Sequence, residues 1–266
     1  MKTLRESVDP DAYFALLARA KTRVLFLDYD GTLAPFRVER DRAFPYPEIP
    51  PLLDSIHETG TRIIIVSGRE VDALLPLLRT KASFEIWGAH AWERRRANGD
   101  RERFEPAPPE GAALEEAWAW VRERELQPRC ERKIASIALH WRGMASSEAE
   151  ALAARARESW GGIARASGLE LIDMAAGIEI RSGERNKGDA VRTVLTEHVS
   201  SSIGDPIACA YVGDDMTDED AFFAVRGIGL SVLVGEEPRP SAADILLRPP
   251  GELFAFLERW RSVCRA

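Results

Sequence analysis

Four short runs of apolar residues, at 24–27, 63–66, 208–212 and 228–234, constrain the fold more than any other feature of this chain. They are continuous, not alternating. A strand with one face in water alternates apolar and polar side chains, whereas a strand covered on both faces need not, as in a buried parallel sheet. Helical patterns lie between the runs. Residues 52–58 carry Leu52, Leu53 and Ile56 at helical spacing and stop at Gly60, a residue suited to ending a helix. Residues 71–78 and 191–198 read in the same way. Thr217 is placed to cap a helix running to Val225, with Asp218, Glu219 and Asp220 at its positive end. This alternation predicts an α/β core, a Rossmann-like open parallel sheet with helices on both faces.

The middle of the chain breaks the pattern. Glu105-Pro106-Ala107-Pro108-Pro109 reads as a joint. After it come a helix at 111–125, strand-like runs at 129–133 and 136–141, a helix at 147–160 and two more strands at 169–174 and 177–181. Two helices packed on one face of a four-stranded antiparallel sheet would satisfy that order. The expectation is a core domain formed by 1–106 and 183–266, with 107–182 as an inserted α+β domain. At 266 residues the chain is long enough for about two domains.

Composition excludes several classes. The chain is 45% hydrophobic and 30% charged, enough apolar material for a full core. A formal net charge of −7 argues against a nucleic-acid binder. Cys130, Cys209 and Cys264 lie far apart with no CxxC spacing, which disfavours a disulfide framework or a zinc cluster and fits a reducing compartment. No stretch approaches the roughly 18 apolar residues a membrane helix needs, and the N-terminal apolar stretch is too short for a signal peptide. The expectation is a cytoplasmic protein without a membrane or nucleic-acid partner, with a monomer as the default. The Arg-rich stretch from Glu93 to Arg103 brackets Asn98-Gly99, a hairpin signal, and reads as a solvated turn of mixed charge. Gly227-Ile228-Gly229 lacks a third glycine and precedes a strand, so it is set aside as a dinucleotide site.

The chemistry-bearing residues fall at strand ends. The first run ends in Asp28-Tyr29-Asp30-Gly31-Thr32, the second in Ser67-Gly68-Arg69, the third in Gly213-Asp214-Asp215-Met216-Thr217-Asp218. Lys187 opens a helix just after the insert. Each piece alone has an ordinary reading: an Asp-Gly turn, a serine helix cap, a surface lysine, solvated turn acids. Together they fall outside the carboxyl ends of one sheet, where open α/β sheets bind ligands. Asp28, Asp30, Asp214, Asp215 and Asp218 would repel one another there. A magnesium ion, taking one or two carboxylates and leaving other positions to water and a substrate phosphate, relieves that repulsion.

The order DxDGT, Ser, Lys, GDDxxD resembles the haloacid dehalogenase superfamily of phosphatases. The blocks from Phe26 to Pro35, Gly88-Ala89-His90 with Glu93, His140-Trp141-Arg142, Glu179-Ile180-Arg181 with Asn186-Lys187-Gly188, and Tyr211 to Phe222 resemble the trehalose-6-phosphate phosphatase family. These blocks span 26–222. One departure is visible: the family usually has glycine after the histidine of the second block, and Ala91 and Trp92 stand here.

The resemblance implies a magnesium-dependent hydrolase acting on trehalose 6-phosphate. It makes Asp28 the nucleophile and Asp30 the general acid and then base. It assigns Mg2+ to Asp28, Asp30 through its carbonyl, and Asp214. Asp215 and Asp218 act through metal-bound water or by orienting Lys187. Ser67 and Lys187 hold the phosphoryl oxygens. The insert becomes a cap that excludes water on closing. Gly68, Arg69 and His90, with Glu131, Lys133, Arg142 and Glu179 of the cap, form the implied substrate-binding set. The alternatives are a capped phosphatase for another sugar phosphate and a non-catalytic domain of the same fold. The second is disfavoured because Asp28, Asp30, Ser67, Lys187 and Asp214 are all present.

Overall fold

The structure is a computed structural model. It describes residues 1–265 apart from 38, 175 and 202–206. In chain order the elements are β1 (Lys2–Thr3), α1 (Pro10–Arg19), β2 (Thr22–Leu27), α2 (Ile49–His57), β3 (Arg62–Val66), α3 (Val71–Leu78), β4 (Glu85–Gly88), β5 (Glu93–Arg95) and β6 (Arg101–Arg103). There follow α4 (Pro108–Glu123), β7 (Cys130–Arg132), β8 (Ser136–His140), α5 (Ser146–Ser167), β9 (Glu170–Met174) and β10 (Gly177–Arg181). The chain closes with α6 (Lys187–Ser201), β11 (Ile207–Gly213), α7 (Glu219–Val225), β12 (Gly229–Val234), β13 (Ile245–Leu247) and α8 (Gly251–Arg265). It divides into two compact units, 1–102 with 186–266, and 103–185.

The first unit is built on a sheet ordered β1-β13-β12-β11-β2-β3-β4-β5-β6. Strands β13 through β4 run parallel; β1 and β5 pair antiparallel at the two sides. The apolar runs are continuous because both faces are covered. Leu25 and Leu27 of β2 and Ala210 and Val212 of β11 join one buried cluster with Phe14 of α1, Leu53 of α2, Leu74 of α3 and Leu257 of α8. On the alternate positions Phe26 stacks on Tyr211 at 6.4 Å, and Phe222 of α7 meets Tyr211 edge-on at 5.7 Å. This is the doubly covered parallel sheet that the uninterrupted runs predict. The last helix buries Leu253, Phe256, Leu257 and Trp260 in the core. A hairpin is present at Asn98-Gly99, with Gly99 at φ +98° between β5 and β6.

Some details differ from expectation: α4 begins at Pro108 rather than 111, and α5 runs on to Ser167 rather than ending at 160. The helix expected from Thr217 starts at Glu219 and is preceded by a single turn over Met216–Asp218, and it is Asp215, not Thr217, that caps this turn. Strand β4 does not stand out in the sequence because it opens on Glu85, an acid buried against Arg62 and Arg94.

The second unit is a four-stranded antiparallel sheet, β7-β8-β10-β9. Ile137, Leu139, Ile178 and Ile180 share a core with Leu114, Ala117 and Val121 of α4 and Leu152, Ala156 and Trp160 of α5. Both helices therefore lie on one sheet face, and period-two alternation turns the intervening residues to the other.

Candidate active site

Parallel strands β2, β3 and β11 are neighbours, so the residues that follow them gather at one edge of the sheet. Asp28 is held there by its own N–H, which donates to Val212 O at 2.8 Å. Its carboxylate is 3% exposed. Lys187, the first residue of α6, is also 3% exposed. Its Nζ donates to Asp28 Oδ1 at 2.6 Å and to Asp218 Oδ1 at 2.8 Å. Burial alone would lower the lysine; the two carboxylates outweigh it and hold the ammonium well above its ordinary range.

Asp218 is fully committed. Its Oδ1 also accepts from Tyr211 Oη at 2.6 Å, and its Oδ2 accepts from the N–H groups of Asp214 at 3.0 Å and Asp215 at 2.9 Å. Four donors fill the capacity of one carboxylate. Asp218 therefore orients Lys187 and the loop more readily than it could ligate a cation. Asp214, by contrast, accepts a bond from Thr32 Oγ1 at 3.3 Å and keeps capacity to spare. Ligand atoms of Asp28, Asp214 and Asp218 lie within 4.8 Å of one another. One ammonium among three carboxylates leaves net negative charge in a buried place. Burial, then Asp218, pushes Asp214 up to about 7, and burial with the two neighbouring acids raises Asp28 against the pull of Lys187. Oxygen ligands in negative surplus suit a hard divalent cation, and the residues fit magnesium.

Asp30 takes a different partner. Arg69 grips it with Nε on Oδ2 and a terminal nitrogen on Oδ1, both at 2.6 Å, and donates a third bond to Arg40 O at 2.6 Å. Ser67 is buried, and its hydroxyl oxygen accepts from Arg69 N at 3.1 Å, the turn-capping use that the sequence leaves open. That bond does not consume the hydroxyl proton. His90 lies over Gly68: a Cβ there would sit 2.5 Å from His90 Nε2. Ala89, His90 and Ala91 are all left-handed, at φ +48°, +55° and +73°. Ala91 thus occupies the kind of position that glycine takes without steric cost. The Asp215 carboxylate accepts from Met216 N in its own turn and is exposed to solvent.

In the second unit, Glu131, Ala138 and Glu179 are register partners across β7, β8 and β10. They project from the face away from the helices. Lys133 lies 3.7 Å from Glu131. Glu131 and Arg142 line a cleft of about 300 Å3 with Pro128, Arg129, Cys130 and His140. Sequence alone does not place His140 at this cleft. Nor does it place Tyr211 or Thr32, although both stand inside motif blocks; a hydroxyl partner shows only once strand neighbours are known.

At the Asp28 edge a fixed cation stands beside the acid, and three carboxylates converge on one place. Such chemistry at the strand ends of a doubly covered parallel sheet fits the phosphatase class that the motif order resembles, the haloacid dehalogenase superfamily. Solved structures share the fold. The C-terminal domain of trehalose-6-phosphate phosphatase from C. albicans superposes with a TM-score of 0.72 at 19% identity, over 100% of this chain and 99% of that one. The trehalose-6-phosphate phosphatase of Aspergillus fumigatus gives 0.67 at 22% identity, over 97% and 98%. Within that class the chain belongs to the trehalose-phosphatase family, whose profile matches residues 26–246. Probable trehalose-phosphate phosphatase 9 of Oryza sativa subsp. japonica is 30% identical over 276 residues, covering 92% of this chain and 71% of that protein.

Proposed function

We propose that this phosphatase hydrolyses trehalose 6-phosphate to trehalose and phosphate through an aspartyl-phosphate. The observation that carries the reading is the buried Lys187 ammonium shared between Asp28 and Asp218, beside Asp214 with its spare capacity, in a chain of this family. Asp28 Oδ attacks phosphorus, and the bond to the sugar oxygen breaks. Asp30 gives the departing oxygen its proton, then takes a proton from the water that cleaves the acyl phosphate. Arg69 gives each Asp30 oxygen one donor, which fixes the carboxylate's orientation and leaves a lone pair on each oxygen for the proton transfers. Lys187 and Ser67 stabilise the phosphoryl oxygens, with Gly68 and His90 shaping the turn beneath them. Asp28, the Asp30 carbonyl and Asp214 would hold Mg2+, with Asp215 acting through its water. A bound magnesium ion would supply Lewis-acid stabilisation of the phosphoryl charge.

Residues 107–182 act as the cap in this reading. Glu131, Lys133, Arg142 and Glu179 supply the paired donors and acceptors that carbohydrate hydroxyls need. Three free cysteines support a reducing compartment, taken as the cytoplasm. Among the described residues no helix is long and apolar enough to cross a membrane. The test is phosphate release from trehalose 6-phosphate with and without magnesium. Asp28→Asn should abolish turnover while the protein still melts cooperatively; substantial activity in a clean preparation of that variant would refute the nucleophile.

A further inference from the structure

We infer that Arg239 is a positioning residue for the metal site, acting through the backbone of the loop that carries Asp214, Asp215 and Asp218. This rests on the magnesium reading above. Arg239 lies in Gly235-Glu236-Glu237-Pro238-Arg239-Pro240, outside every motif block. Its guanidinium nevertheless reaches the metal loop. One terminal nitrogen donates to Asp215 O at 2.8 Å and to Asp214 O at 3.3 Å. The other pairs with Glu219 and donates to Pro240 O at 3.1 Å. Glu219 immediately follows Asp218 and is itself tied down, accepting from Ser241 Oγ at 2.8 Å and Ala242 N at 2.7 Å.

The geometry of a trans peptide gives these bonds their consequence. Its C=O and N–H point in opposite directions, so fixing one fixes the other. The Asp214 carbonyl shares a peptide plane with the Asp215 N–H, which donates to Asp218 Oδ2 at 2.9 Å. A donor behind that carbonyl therefore aims the N–H at Asp218, and Asp218 in turn orients Lys187 at 2.8 Å. The loop holds three carboxylates within five residues and faces Asp28 across the site. Without a counterweight, mutual repulsion favours splaying it. Magnesium demands near-ideal octahedral geometry, so a splayed loop binds it poorly. The guanidinium bonds go to backbone carbonyls, to Glu219 and to the Met216 sulfur, not to the oxygens that would ligate the metal; Arg239 preorganises the residues that carry those oxygens.

The experiment is a magnesium titration of the substrate-free protein by calorimetry, beside steady-state kinetics at varied magnesium. Arg239→Met keeps length and removes every donor. It should weaken magnesium binding about tenfold and raise the magnesium needed for half-maximal rate by the same factor. At saturating magnesium, kcat should return to within about twofold of wild type. Arg239→Lys retains a charge for Glu219 but cannot span both carbonyls; it should restore thermal stability more than metal affinity. If Arg239→Met or, should that variant fail to fold, Arg239→Lys melts earlier yet binds magnesium within twofold of wild type, the clamp is merely structural and the inference is wrong. A different result marks failure of the underlying reading: wild type that binds no magnesium, or Asp214→Asn that binds it as wild type does.

Discussion

Burial and the Asp218 carboxylate push Asp214 up to about 7, which places its titration inside the working range of most enzymes. A carboxylate must shed its proton to bind a cation, so proton and magnesium compete for Asp214. Above about 7 the acid is ionised and ready; below it, each pH unit costs about tenfold in apparent affinity. Magnesium affinity measured by calorimetry should therefore fall about tenfold between pH 8 and pH 6. A flat profile over that range would mean that Asp214 is not the titrating ligand. The same residue shows why sequence inspection reaches the acids but not their division of labour. Asp214, Asp215 and Asp218 look alike in the string Gly213-Asp214-Asp215-Met216-Thr217-Asp218. Only the bonds separate them: Asp218 is saturated by four donors, Asp215 caps its own turn, and Asp214 is left with capacity.

At the scale of elements, the proposed division between sugar reading and chemistry is tested most directly on β10. Ile178 and Ile180 turn into the core, which forces Glu179 onto the opposite face, in register with Ala138 and one strand removed from Glu131. Small Ala138 stands between the two acids in the register. Glu179→Ala should lower kcat/KM for trehalose 6-phosphate by about tenfold to a hundredfold, the cost of hydrogen bonds to a charged group. An aryl phosphate, lacking hydroxyls to read, should lose only severalfold. Equal losses on both substrates would assign Glu179 to the fold or the core chemistry. Buried strands β2, β3 and β11 are legible because an uninterrupted apolar run of four or five residues bounded by turn residues fits a strand covered on both faces and is too short for a typical helix. Strand β13, at Ile245–Leu247, is too short to show periodicity, and β4 hides behind the paired charge of Glu85. The Arg239 segment is illegible on different grounds: its role lies in backbone carbonyls, which every residue possesses.

For the whole molecule, the two compact units differ in how the chain supplies them. Residues 103–185 are continuous and have their own core around Trp160, whereas the first unit is assembled from two separate stretches. Magnesium held by Asp28, Asp30 and Asp214 would stabilise only the unit that contains them. At a hundred times its Kd, a ligand contributes about 2.7 kcal/mol, or several degrees in Tm for a unit of this size. Calorimetry should therefore resolve two transitions, with magnesium raising one and leaving the other in place. A single transition that moves as a whole would show that the units unfold together.

Strand β2 has β3 on one side and β11 on the other, and these partners come from opposite sides of the insert. On a ribosome, β2 and β3 emerge early, while the other edge of β2 stays unpaired until the entire second unit and α6 have been made. An open edge bearing Val24, Leu25, Phe26 and Leu27 invites association with other chains for that interval. The same delay keeps Asp28 without Lys187. Until the last third of the chain arrives, the newborn protein carries an acid whose countercharge has not yet been synthesised.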